Sequence, residues 1–115
     1  MKISTSIIED RLSYFENLLE KPMPDNLDDM NKYLDQISHC NSENSKLISN
    51  LHDLKCNIEE LNDPILNKQK LQTKKLLFRA KQLSGAFSSR KSAVITIVST
   101  EKAILFSEMN NRNTI

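Results

Sequence analysis

The fold of this chain is decided by residues 33–65, YLDQISHCNSENSKLISNLHDLKCNIEELNDPI. Read at alternating steps of four and three residues, this stretch places an apolar side chain at every position of the series except one, which is an Asn. Such a series is the seam of a coiled coil, and a helix that carries it must bury it against a second helix. The predicted helix–helix seam comprises Tyr33, Ile37, Cys40, Asn44, Leu47, Leu51, Leu54, Ile58, Leu61 and Ile65.

The composition predicts an all-α protein. The 115 residues have room for one small domain, and one Gly with three Pro supplies too little turn chemistry for a sheet of many strands. Trp is absent, so burial comes mainly from Leu and Ile along helix faces. We predict an elongated antiparallel helical hairpin or a three-helix, coiled-coil-like bundle. No apolar run reaches the length of a signal peptide or a membrane span, which predicts a cytoplasmic protein.

Local signals set the predicted helix boundaries. Ser6 and Glu9 have the spacing of a capping box, and Pro22 ends the first helix because proline cannot continue the hydrogen-bond ladder. Asp63 followed by Pro64 is a helix restart. The predicted helices cover about 6–21, 26–62 and 64–107 in a single helical domain of residues 1–109, followed by a disordered tail at 110–115.

Three points in this scheme stay open. Pro64 makes either a kink within one bent rod or a tight turn that closes a hairpin. Residues 93–106 contain the β-branched run AVITIV and could form either a helix or a β-hairpin. A helix fits better, because residues 99–102, which would form the turn of the hairpin, contain no Gly, Asn or Asp. Asn44 either fixes the register of the seam by a hydrogen bond across it or marks a break between two shorter helices.

The charges divide the chain into two halves. Residues 1–63 contain thirteen acidic and six basic side chains, whereas residues 64–115 contain ten basic and two acidic ones. One interpretation is that the basic third helix packs antiparallel on the acidic second helix, with flanking charges setting the pairing. The alternative is an exposed basic face, from Lys68 to Lys91, for RNA, DNA or anionic lipid; nucleic acid is the less favoured partner because aromatic side chains for base stacking are few.

The residues give little support for catalysis or for a bound metal. His39, Cys40, His52 and Cys56 have the right chemistry, but about 20 Å of helix separates the two His residues, which exceeds the reach of one metal ion. Two Cys residues within helical pattern are typical of reduced thiols. We therefore predict no enzyme activity, no metal and no cofactor.

The C-terminal third provides the candidate partner surface. The third helix carries more apolar side chains than a short first helix can cover, and an uncovered apolar stripe marks a protein-binding face or an oligomer interface. The expected partner is another protein that binds through a helical face, with a homodimer as one possibility. The predicted partner-binding residues are Leu83, Phe87, Val94, Ile97 and Phe106.

The stretch LSGAF at residues 83–87, together with Ala93, resembles the small helical flagellar and type III export chaperones of the hook-associated-protein type. In that family a Gly-containing step precedes the last, client-binding helix. The chain departs from the pattern at Ser84, where Asn is expected, and at Phe87, which occupies an aliphatic position. The resemblance implies a cytosolic chaperone or adaptor for export; the alternatives are a structural coiled-coil subunit of a larger assembly and a nucleic-acid-binding protein.

Overall fold

The computed structural model describes residues 5–113 and consists of three α-helices in this range, with no strand. Helix α1 covers Thr5–Glu20, α2 covers Leu27–Leu61 and α3 covers Asn67–Asn113, with a 3₁₀ turn at Pro64–Leu66 between α2 and α3. The all-α, elongated architecture predicted from the sequence is confirmed. Residues 93–106 belong to α3, so the β-hairpin alternative is wrong. The hydroxyl groups of Thr96 and Thr100 donate to carbonyl oxygens four residues earlier, which satisfies these side chains within a helix.

A tight turn between α2 and α3 reverses the chain. Asn62 adopts the left-handed conformation at φ 47° and ends α2. The Asp63 side chain then accepts a hydrogen bond from the backbone N–H of Ile65 at 3.0 Å, and Pro64 occupies the first helical position. Across the resulting hairpin, Asn44 of α2 bonds to Ala80 of α3. Pro64 therefore belongs to a hairpin turn, and the kink alternative is wrong.

Helix α1 lies beside the hairpin, parallel to α3. The Arg79 side chain on α3 donates hydrogen bonds to the side chains of Ser13 and Glu16 on α1. Residues 21–26 form the connection to α2. The side chain of Asn26, which precedes α2, accepts a bond from the backbone N–H of Asp29 at 2.9 Å. The three helices enclose one core of Ile8, Leu12, Phe15, Leu18, Leu19, Met30, Tyr33, Ile37, Leu47, Leu51, Leu76, Leu77, Ala80, Leu83, Phe87, Val94 and Val98.

The predicted seam is buried over most of its length. Tyr33, Ile37, Asn44, Leu47, Leu51 and Ile58 are buried, and Cys40 is half-buried. The series weakens toward the turn, where Leu54, Leu61 and Ile65 are 42%, 69% and 84% exposed. Ile65 lies in the 3₁₀ turn, so the helical spacing that predicted its burial does not reach it, and Leu61 lies at the last position of α2, next to the turn.

Helix α3 is longer than the sequence predicted. It continues through Asn113, so residues 110–113 are helical where a disordered tail was expected; Thr114 and Ile115 of that tail lie outside the described residues. The physical reason is that extending an existing helix adds one hydrogen bond per residue and requires no new nucleus. At 1.5 Å per residue, α3 alone is roughly 70 Å long.

We expect Leu51→Asp to lower the free energy of unfolding by about 3–5 kcal/mol, because the leucine is 1% exposed and a carboxylate there has no partner. The matched control is Leu54→Asp, one turn along the same helix but 42% exposed, for which the loss should be about 1 kcal/mol or less. Urea denaturation followed by circular dichroism measures both. Equal losses for the two variants would contradict the buried seam.

Candidate functional site

Among residues 5–113, the stagger of the hairpin leaves the end of α3 without a neighbouring helix. Two contacts define this stagger: Asn44 lies against Ala80, and Tyr33 lies against Arg90. Continued at the same stagger, Leu27 at the start of α2 lies opposite about residue 96 of α3. Helix α3 continues for more than a dozen residues beyond this point, to Asn113. We call residues 99–113 the α3 extension.

The α3 extension carries a cluster of exposed apolar side chains. Ile104, Leu105, Phe106 and Met109 are between 47% and 66% exposed, and every residue from 99 to 110 is exposed. We call these four side chains the extension face. A helix exposes four large apolar groups within six residues at the expense of solubility, and such clusters on soluble proteins mark interaction sites.

Part of the extension face lies on the same side of α3 as the core stripe, although Glu101 and Glu108 interrupt the apolar series there and Phe106 lies about 100° further round the helix than Leu105. Val94 is fully buried and Val98 is 8% exposed. Leu105 follows Val94 by eleven residues, close to three helical turns, and therefore lies on the same side of the helix. The stripe that packs against the bundle up to Val98 is thus uncovered from Leu105 onward. Its arrangement favours another helix as the covering element.

The structure separates the predicted partner-binding residues into two groups. Leu83, Phe87 and Val94 lie in the core, with the ring of Phe87 packed 6.3 Å from that of Phe15. Ile97 is half-buried and packs against the core. A partner reaches Leu83, Phe87 and Val94 only if the helices separate, whereas Ile97 is partly accessible. Phe106 is 66% exposed and lies on the extension face together with residues that the sequence analysis did not single out as a site, namely Ile104, Leu105 and Met109.

A polar cluster fixes α1 and the following connection to the hairpin. The Tyr33 hydroxyl donates to the backbone oxygen of Leu18 at 2.7 Å and accepts from Arg90 Nε at 3.0 Å. The Arg90 guanidinium also donates to the backbone oxygen of Lys21 and lies 5.3 Å from the centre of the Tyr33 ring. One arginine thus holds α2, α3 and the end of α1 together. In the sequence, Arg90 is a charged residue between the apolar Phe87 and Val94, and nothing there indicates its bonding partners.

Asn44 sets the register of the two long helices. Its Nδ2 donates to the backbone oxygen of Ala80 at 2.8 Å, and α2 is continuous through this residue. The helix-break alternative is therefore wrong. The side-chain oxygen of Asn44 is buried without a hydrogen-bond partner, so this residue lowers stability while specifying one alignment.

The basic charges of α3 are not neutralised by α2. In the part of the chain that the structure describes, the two salt bridges join Lys46 to Glu43 within α2 and Arg79 of α3 to Glu16 of α1. Helix α3 packs antiparallel on α2 as this interpretation of the charges predicted, but no salt bridge joins the two helices within the described residues. The apolar seam and Asn44 define the pairing, and most lysines of α3 point to solvent.

The Cys and His residues do not join a metal-binding or catalytic cluster among the described residues. His52 Nε2 and Cys56 Sγ lie 3.7 Å apart on the surface of α2. Within the described residues, no three His, Cys, Asp or Glu side chains come together in a way that holds a metal ion. Cys40 and Cys56 are both free and half-buried. Burial raises the pKa of the Cys40 thiol, and the nearby Glu43 carboxylate raises it further.

Comparisons with known proteins do not assign the chain to a family. No family model matches it, and neither the curated proteins nor the solved structures contain a significant match. None of the described helices has an apolar segment long enough to cross a bilayer.

Removing the Tyr33 hydroxyl tests the polar cluster. We expect Tyr33→Phe to lower the free energy of unfolding by about 1–2 kcal/mol, because it removes the bond to the Leu18 oxygen and the bond from Arg90 Nε. Tyr14→Phe is the matched control, since that ring is 60% exposed and its loss of a hydroxyl should change stability by less than about 0.5 kcal/mol. A Tyr33→Phe protein as stable as the wild type would contradict the assignment.

Thiol alkylation tests the environment of Cys40. At a pH near 8 the raised pKa leaves a smaller fraction of Cys40 as the reactive thiolate, so iodoacetamide should modify it more slowly than a free cysteine in a short unstructured peptide. Raising the pH should increase the rate until the thiol is fully ionised. The Cys56→Ser variant isolates the Cys40 signal, and mass spectrometry measures it. A rate at or above that of the peptide would contradict the raised pKa.

Proposed function

We propose that the protein is a non-enzymatic helical module that binds another protein through the α3 extension. The observation that carries this proposal is the uncovered extension face, which lies beyond the end of α2 on a helix otherwise packed in a core. Helical segments of about 12–15 residues gain most of their stability from packing of an apolar face. A partner that covers the extension face supplies the packing that this chain does not provide in the described residues.

The expected partner element is an amphipathic helix. Along the bundle, α1 and α2 cover the stripe of α3 by helix–helix packing, and Leu105 lies on the same side of the helix beyond the bundle. A partner helix placed along residues 99–113 would pack on α3 as α2 does, in line with α2 and beyond its start. Leu105 and Phe106 are the expected anchors, because large apolar and aromatic side chains at the centre of an interface contribute most of its affinity.

The most concrete form of this function is a cytosolic chaperone or adaptor for type III or flagellar export. Its support is the resemblance of residues 83–87 and the presence of an uncovered C-terminal helix that a client helix would order further. The alternative is a structural coiled-coil subunit, in which a second copy or another resident protein covers the same face. The two forms differ in the identity of the bound protein rather than in the surface used.

Substitution of the extension face tests the proposal. We expect Leu105→Glu with Phe106→Ser to weaken partner capture at least about 30-fold while leaving the melting temperature unchanged, because both side chains are exposed. The matched control is Leu71→Glu with Phe78→Ser, the same two residue types at 55% and 63% exposure elsewhere on α3. The control should capture the partner normally.

The partner is identified by placing a photo-crosslinking amino acid at Met109 in the full chain in living cells, with Ile7 on α1 as the control position. A protein crosslinked from Met109 but not from Ile7 supports the proposal. An exported protein supports the chaperone form, and a second copy or a resident assembly protein supports the structural form. If the same proteins are crosslinked from both positions, or no protein is crosslinked from Met109, binding through the extension face is refuted.

A further inference from the structure

The outward side of α3 carries a second surface that the proposed function does not use. Leu71 and Phe78 are 55% and 63% exposed and lie seven residues apart, close to two turns, so they form one line along the helix. Their neighbours at three and four residues include four lysines besides Asn67 and Gln82, and all of these are exposed. We call this surface the basic ridge: Leu71 and Phe78, flanked by Lys68, Lys74, Lys75 and Lys81.

The charge of the basic ridge is uncompensated within the described residues. None of its four lysines takes part in either salt bridge there. The residues of α3 that face the bundle, Thr73, Leu76, Leu77 and Ala80, are buried on the other side of the helix. The acidic half of the chain, residues 1–63, therefore packs behind the ridge and leaves its lysines exposed to a ligand.

We propose that the basic ridge binds the surface of an anionic lipid bilayer. The charge and the apolar line together favour this ligand. Lysine amines reach headgroup phosphates while their methylene chains lie along the apolar boundary, and exposed Leu and Phe side chains enter the outer part of the acyl region. The ridge is a convex line on one helix, which presents all six side chains to a flat surface at once.

Other polyanions fit the ridge less well. Double-stranded nucleic acid binds lysines through its phosphates but leaves Leu71 and Phe78 against water or phosphate. An acidic protein helix requires a complementary seam, whereas the next two outward positions at the same spacing, Gly85 and Ser92, provide no apolar contact. The acid-free stretch from Pro64 to Thr100 and the acidic half behind it orient the molecule with α3 toward a negative surface.

Vesicle flotation with the full-length chain tests this inference. We expect binding to phosphatidylcholine vesicles that contain about 30% phosphatidylglycerol at about 50 mM salt, no binding to pure phosphatidylcholine, and release at about 500 mM salt. Lys74→Gln with Lys81→Gln should weaken binding about 30-fold, since each lysine near an anionic surface contributes about fivefold. Phe78→Ser should weaken it roughly tenfold through the lost apolar insertion.

Matched variants separate the ridge from general charge and from the α3 extension. Lys32→Gln with Lys46→Gln removes the same charge from exposed positions of α2, and Tyr14→Ser removes an exposed ring from α1; neither should change vesicle binding. Leu105→Glu with Phe106→Ser should also bind normally, so failure of this inference and failure of the proposed function are distinguishable.

Several results would overturn the lipid assignment. Equal weakening by the α2 lysine variant would show attraction by net charge alone. Loss of binding in the extension variant, with the ridge variants unaffected, would place lipid contact at the extension face. Stronger binding to a single-stranded oligonucleotide or to polyglutamate than to the anionic vesicles would assign the ridge to nucleic acid or to an acidic protein. No binding to the anionic vesicles at low salt would refute it directly.

Discussion

Burial of one apolar seam between α2 and α3 is the interaction on which the rest of the structure depends. Ile37 and Leu51 on α2 and Val94 on α3 are almost completely buried, and a long helix carrying such a stripe is not stable in water by itself. The turn at residues 62–66 brings both halves of the seam into one chain. Helix α1 then closes the side of the hairpin and completes a core that two helices cannot enclose.

Polar side chains determine the stagger of α2 against α3, because the apolar seam alone permits several staggers. A coiled-coil stripe packs in several staggers of similar apolar burial, and a buried hydrogen bond favours one of them at a cost in stability. Asn44 bonded to Ala80, and Arg90 bonded to Tyr33, fix this stagger at two points. The stagger also determines how many residues of α3 extend beyond the start of α2, and therefore the length of the α3 extension.

The sequence predicts the helices better than their surfaces. Capping at Asp63 with Pro64, and the seam from Tyr33 to Ile58, are local signals with direct physical causes, so the class and most boundaries follow from them. Partner-binding residues are harder to predict from the sequence, because Phe87 and Phe106 have the same apolar side chain and differ only in whether other residues pack against it. That difference depends on the stagger, which rests on Asn44 and Arg90. A single sequence identifies these residues as polar interruptions and does not identify their bonding partners.

The two surfaces of α3 depend on the bundle in different ways. The basic ridge lies on a part of α3 that the core already holds helical, so binding there requires little new order. The extension is held only by continuation from the packed part of the helix, and a partner that covers it binds the folded chain and stabilises it by linkage. Under the proposed function, a core substitution that leaves an appreciable fraction of the chain unfolded would therefore weaken partner binding even at a distance from the extension face. For this reason, loss of binding identifies a contact residue only when the variant keeps the wild-type melting temperature, a condition that exposed Leu105 and Phe106 satisfy and buried Phe87 does not.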